Sequence, residues 1–345
     1  MQSTYDRLTP AQRVGQLLMI GIDGNAPQTA IDGYISGNNV GNVIYLGGWT
    51  GISKVASTSN HLQDQATSAA TGGVPLLIAA DQEGGAVQQL KGQGFTRLVS
   101  AREQGAMPAA QRKSYAATIG TQLRSAGVNV NLAPVADTVP SSIGTANQPI
   151  GRYGREYGND PGVVGAAVAD VVQGLGEAKV AATVKHFPGI GRITGNTDIT
   201  STGISDDAMT ASDPYLQAFS AGIKAGAELV MVSSARYPKL DSANQAPFSA
   251  AIINGLLRGK LGWQGVVVTD DMNAVAVAGI PPGERAVRFV AAGGDIVLTG
   301  RPSDAAAMIS ALTSRAGSDK GFAQQLQAAE KRVLALKERQ GLLRC

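Results

Sequence analysis

The residues with chemistry to offer follow short apolar runs. Leu76-Leu77-Ile78-Ala79-Ala80 leads into Asp81-Gln82-Glu83-Gly84-Gly85. The run 128–136 ends near Asp137, and 180–185 ends in Lys185-His186-Phe187-Pro188-Gly189. The run 229–233 leads into Ser234-Ala235-Arg236, and Val266-Val267-Val268-Thr269 into Asp270-Asp271-Met272. A carboxylate and a cationic pair can hold the hydroxyls of a sugar ring through charge-assisted hydrogen bonds. Another carboxylate can attack the anomeric carbon. Retaining glycosidases need that nucleophile about 5–5.5 Å from an acid/base carboxyl. An Asp after a strand often caps the next helix instead, and Asp271 is read that way. Asp270, Asp81, Lys185 and His186 sit where a strand meets its loop and are read as functional. Glu83 is either a further site residue or a structural partner of the Gly84-Gly85 turn. His61 falls in a helical segment and is read as a surface residue.

Such residues need a scaffold that brings strand ends together. Strands are predicted at 17–22, 42–46, 76–80, 128–136, 180–185, 229–233, 266–269 and 295–298. Amphipathic stretches at 55–70, 110–126, 160–177 and 213–227 lie between them. Strands alternating with helices imply βαβ units and a parallel sheet. Eight such units fit a (β/α)8 TIM-type barrel of the α/β class, whose active site lies at the C-terminal strand ends. A doubly wound open sheet is the structural alternative. No linker or repeat interrupts the chain, so one domain over 1–345 is expected. Phe322, Leu326, Ala329, Val333 and Leu336 mark one face of a last helix, with Gly341 as its stop.

Composition excludes several classes. The net charge is +3 and no basic run is interleaved with aromatics, so nucleic-acid binding has no support. No apolar run reaches the roughly 18 residues of a membrane span. The single cysteine, Cys345, ends the sequence, which rules out an internal disulfide and a cysteine zinc site. Two histidines are too few for a His-rich metal centre. No P-loop or dinucleotide-binding glycine motif occurs, so neither cofactor nor metal is expected. The expected partner is a carbohydrate, and the chain is expected to be a monomer. The polar start (MQSTYDRLTPAQRV) carries no secretory signal, although a sequence trimmed of one would look the same. Low Lys with many Ser, Thr, Asn and Gln leans towards an exported bacterial protein, with a cytoplasmic one still open.

The motifs resemble the barrel domain of glycoside hydrolase family 3, and most closely its bacterial single-domain β-N-acetylglucosaminidases. The resemblance runs through GQLLMIG (15–21), DQEGGAVQQL (81–90), NLAPVAD (131–137), GREYGNDP (154–161), KHFPG (185–189), GWQGVVVTDDM (262–272) and RVLALKERQGLL (332–343). KHFPG and DQEGG in this order and spacing are specific. The resemblance implies that Asp270 is the nucleophile. It implies that Asp81, Arg155, Lys185 and His186 bind the glycone.

The chain departs from that branch in one loop. There KHFPGHG is followed by Asp-Ser-His, whose His is the acid/base. Here the segment reads Lys185-His186-Phe187-Pro188-Gly189-Ile190-Gly191, and Asn196-Thr197-Asp198 aligns with Asp-Ser-His. The loop has no histidine. Two-domain relatives often take the acid from a second domain, and this sequence ends before one begins. The acid is then another residue of this barrel, a residue of another chain, or absent. Asp198 is the best local candidate, with Asp206 and Asp207 behind it, and would need a raised pKa. The alternative is that Asp198 only turns the loop. The leading expectation is a retaining exo-β-glycosidase for N-acetylhexosamine- or glucose-type sugars, working through a covalent glycosyl-Asp270 intermediate. The alternatives are a catalytically impaired sugar-binding barrel, and a phosphorylase favoured only by Arg192.

Overall fold

The computed structural model describes residues 1–343. Cys345, on which the disulfide argument rests, lies outside them. All eight expected strands form: β1 (Leu18–Asp23), β2 (Asn42–Leu46), β3 (Leu77–Ala80), β4 (Val130–Asn131), β5 (Ala181–Phe187), β6 (Leu229–Val232), β7 (Val266–Thr269) and β8 (Val297–Thr299). Each pairs in parallel with its neighbour in sequence, and β8 lies beside β1. The ring closes between β7 and β8. There the Thr269 N–H donates to the Ile296 carbonyl at 3.0 Å and the Ile296 N–H to the Val267 carbonyl at 2.9 Å. That closure distinguishes the barrel from the open doubly wound sheet.

The strands read as continuous apolar runs because both of their faces are covered, as in Val266–Thr269, where every residue is buried. The helices α1 (Asp32–Asn38), α2 (Ile52–Asp64), α3 (Ala109–Ser125), α4 (Pro161–Glu177), α5 (Leu216–Lys224), α6 (Ala251–Lys260), α7 (Pro282–Ala291) and α8 (Ala305–Ser318) supply that cover. Local sequence starts and stops them. Asp160 accepts the N–H groups of Gly162 and Val163, and Pro161 supplies the first helical position of α4. The last helix, α9 (Lys320–Arg339), buries the expected face and stops at Gly341, whose φ is +70°.

One strand is shorter than its apolar run. The run 128–136 yields only Val130–Asn131 as regular ladder. Pro134 has no N–H to donate. The chain still follows β5, because the Ala136 N–H donates to the Lys185 carbonyl at 2.6 Å.

Asp295 clasps the closing seam from within. It is fully buried. One carboxylate oxygen accepts the Val267 N–H and an Arg258 N–H, each at 2.7 Å, and the other accepts an Arg332 N–H at 2.7 Å. Strand β7, helix α6 and helix α9 therefore meet on one side chain. Removing one partner of a buried charge pair leaves the others uncompensated. Asp295→Ala is therefore expected to lower unfolding free energy by about 3–5 kcal/mol in urea denaturation.

Candidate active site

A cavity of about 310 Å³ opens at the C-terminal ends of the strands, lined by Asp81, Arg155, Lys185, His186, Asp198 and Asp270. All six sequence-derived candidates thus meet at one mouth. Ile44 of β2, Met231 of β6 and Leu298 of β8 line it as well and give it an apolar side. The volume lies at the small end of ligand sites, suited to about one sugar ring.

One wall is a chain of paired charges. The Lys185 ammonium, 1% exposed, lies 2.5 Å from Asp81 and 2.5 Å from Glu83. Arg155 grips Glu83 with two N–H groups, at 2.8 and 2.7 Å, and donates a third bond to the Pro149 carbonyl. Burial alone would raise the Glu83 pKa, but the nearby Arg155 and Lys185 charges outweigh it and hold the carboxyl at about 2. Burial would likewise discharge Lys185, and Asp81 and Glu83 reverse that. Glu83 is thus the counter-ion of the buried Lys185 and the half-buried Arg155, more than a partner for a turn. The turn itself needs its glycines. Gly84 has φ +113°, and a Cβ there would lie 2.2 Å from the Val99 carbonyl oxygen.

His186 continues the wall. Its Nδ1 is 2.7 Å from the fully buried Asp137 carboxylate, which also accepts the His186 and Ile190 backbone N–H groups. Nε2 faces an Arg155 N–H at 3.5 Å. Arginine only donates, so these partners assign the proton to Nδ1 and leave Nε2 as an acceptor. Asp137 is the residue that sequence reasoning left without a role. Its signal was a charge closing the apolar stretch Leu132–Ala136.

The opposite wall is less committed. Asp270 follows β7 directly, and its side chain accepts only the Asp271 N–H, at 2.9 Å. It has no ion-pair partner among the described residues. Asp198 stands on the loop after β5. Crowding by protein atoms and then the like charge of Asp270 push its carboxyl up to about 6, against the pull of His186 and Arg155. Asp198 is an exposed residue, so solvent at the mouth screens part of this effect; its direction is upward.

Two expectations are corrected. Asp271 caps no helix: it accepts the Asn273 and Gly300 N–H groups at 2.9 Å each and lines the cavity, while α7 begins only at Pro282. An Asx turn and a helix cap look alike in sequence because both use a carboxylate to accept an N–H two or three residues on. His61 is half-buried and pairs with Asp32 at 2.9 Å. Of the other loop carboxyls, Asp206 is taken by Arg192 and Asp207 by the Ser205 hydroxyl, and neither lines the cavity.

Glu83→Gln tests the wall. With Arg155 and Lys185 left short of counter-charge, it is expected to cost about 3–5 kcal/mol at neutral pH. A depressed carboxyl pKa stabilises the fold above the unfolded value of about 4.3. That contribution fades as pH falls towards about 2. Urea denaturation across this range should therefore show an acid-dependent stability difference that vanishes at its lower end.

The family model described as "Glycosyl hydrolase family 3 N terminal domain" matches residues 9–336. A β-hexosaminidase of Xylella fastidiosa (strain 9a5c) is 34% identical over 249 residues, 70% of this chain and 72% of that protein. A β-hexosaminidase of Stenotrophomonas maltophilia (strain R551-3) is 36% identical over 241 residues, 66% of this chain and 68% of that one. The crystal structure of a β-N-acetylhexosaminidase from Beutenbergia cavernae DSM 12333 superposes with a TM-score of 0.93 at 44% identity, covering 96% of this chain and 99% of that one. Fold, motifs and these likenesses agree, and the chain belongs to glycosyl hydrolase family 3 as a glycoside hydrolase.

Proposed function

We propose that this chain is a retaining exo-β-N-acetylhexosaminidase with Asp270 as nucleophile and Asp198 as acid/base. The observation that carries this reading is the contrast between the walls. Asp81, Glu83 and Asp137 are each bound to a cation or to His186, whereas among the described residues Asp270 meets the cavity with one backbone N–H as its sole donor. A nucleophile must keep a lone pair for the anomeric carbon. The β-hexosaminidase relatives support the N-acetylhexosamine glycone, and a cavity of about one ring supports the exo mode.

In the first step an Asp270 oxygen bonds to the anomeric carbon. The glycosidic bond breaks, and its oxygen takes the Asp198 proton. In the second step Asp198, now a carboxylate, removes a proton from water. That water attacks the anomeric carbon and releases Asp270, so configuration is retained. Asp81, Lys185 and the acceptor nitrogen of His186 hold the ring hydroxyls. Arg155 works mainly through Glu83, fixing the wall they share. The phosphorylase alternative rested on Arg192. That guanidinium is bidentate to Asp213 at 2.8 Å, stacks on Tyr215 and does not line the cavity. The sugar-binding alternative leaves the unpaired Asp270 without a purpose.

Asp198 must be protonated for the first step. With a poor leaving group, kcat/KM should therefore fall as pH rises through about 6. An activated aryl glycoside needs no proton and should lack that limb. Asp198→Asn should slow a β-linked disaccharide by roughly 10²–10⁴-fold. It should spare the aryl first step, and azide should rescue the second. Asp270→Ala should abolish nearly all turnover on both while sugar binding survives. Equal slowing of both substrates by Asp198→Asn, or of neither, would remove Asp198 from the mechanism. Product of inverted configuration, seen early by NMR, would remove Asp270.

A further inference from the structure

Asp198 is carried by loop 190–206, where the Asn147 amide donates to the Ile190 and Ile193 carbonyls, each at 2.7 Å, and three further ties follow. At its root Arg192 binds Asp213 and Asp206. On its return the Arg236 N–H donates to the Ile204 carbonyl and the Asp206 N–H to the Arg236 carbonyl, each at 2.9 Å. At its tip the Val275 N–H donates to the carbonyl of Asp198 itself, and the Ala276 N–H to that of Thr197, both at 3.1 Å. Val275 lies five residues beyond Asp270 in sequence. The segment after the nucleophile is therefore what holds the tip of the acid loop.

That segment has its own anchor. Gln245, 5% exposed, donates one amide hydrogen to the Ser234 carbonyl and the other to the Ala276 carbonyl, both at 2.9 Å. Ser234 follows β6 and Ala276 follows β7. One planar amide thus spaces two strand-end loops, and the second carries the latch. A nonpolar side chain of similar size would fill the volume and leave both carbonyls without a donor.

We propose that Gln245 is a positioning residue for the acid/base: by holding the segment after β7 against the loop after β6, it sets the place of Asp198 above Asp270. This rests on the reading of Asp198 as the acid. A shift of about 1 Å in a catalytic group can cost around 10²-fold in rate.

Two variants test it. Gln245→Leu removes the anchor. Val275→Pro removes only the N–H that holds Asp198. Ala274 has φ −52° and ψ 140°, which suits a residue before proline, and Val275 opens a short helical turn with its side chain 45% exposed. If Gln245→Leu fails to fold, Val275→Pro carries the test. Each should lower kcat/KM on a β-linked disaccharide by roughly 10–100-fold. Each should leave the first step with a p-nitrophenyl glycoside unchanged and move the alkaline limb of the disaccharide profile to lower pH. In an Asp198→Asn background neither should add a further loss. If Asp198→Asn alone fails to separate the two substrates, the acid assignment falls. If it does separate them, but the folded variants slow both substrates equally or neither, the positioning role of Gln245 is overturned.

Discussion

The active end of this barrel depends on one buried carboxylate shared by a buried Lys185 and a half-buried Arg155. Glu83 lies within 2.7 Å of both Arg155 and Lys185. Each cation leaves water at a cost of several kcal/mol, which only a close counter-charge offsets. The consequence is geometric. Glu83 follows β3, Lys185 lies two residues before the end of β5, and Arg155 stands on the connection between β4 and α4. Satisfying the charges forces these three parts of the chain into one wall. Asp81 and His186 inherit fixed positions from it.

The fixed wall makes the uncommitted carboxyls informative. Asp137, Asp81 and Glu83 are each occupied by a partner, His186 for the first and cations for the other two. Asp270 and Asp198 face the same cavity without cations of their own. A carboxyl facing both desolvation and a neighbouring negative charge keeps its proton to higher pH. On the proposed reading, the surroundings of Asp198, and not its residue type, fit it to carry a proton. Position then matters as much as identity, which is why the contacts of Asp198's own backbone to the segment after β7 are part of the same chemistry.

The strand pattern was readable because parallel strands covered on both faces leave unbroken Val/Ile/Leu runs, and residues just past such runs must reach the barrel mouth. Asp81, Lys185, His186 and Asp270 were found that way. Arg155 came from motif likeness. Its partner did not, because the two are 72 residues apart and nothing local couples them. Asp137 was visible as a charge at the end of an apolar stretch, but its hold on His186 is a tertiary fact. Gln245 sits in the polar stretch Asp241–Gln245, which gives no sign that its last residue is buried. Asp271 was misjudged because its local turn mimics a cap.

The central claim is that Asp198 and Asp270 interact as a proton-carrying acid and a charged nucleophile. Titration of the Asp198 side-chain carboxyl by carbon-13 NMR, in the wild type and in Asp270→Asn, tests it most directly. The account predicts a wild-type titration near 6 that moves down in Asp270→Asn as the like charge is removed. A wild-type Asp198 titrating near the ordinary value of about 3.9, unmoved by Asp270→Asn, would contradict it.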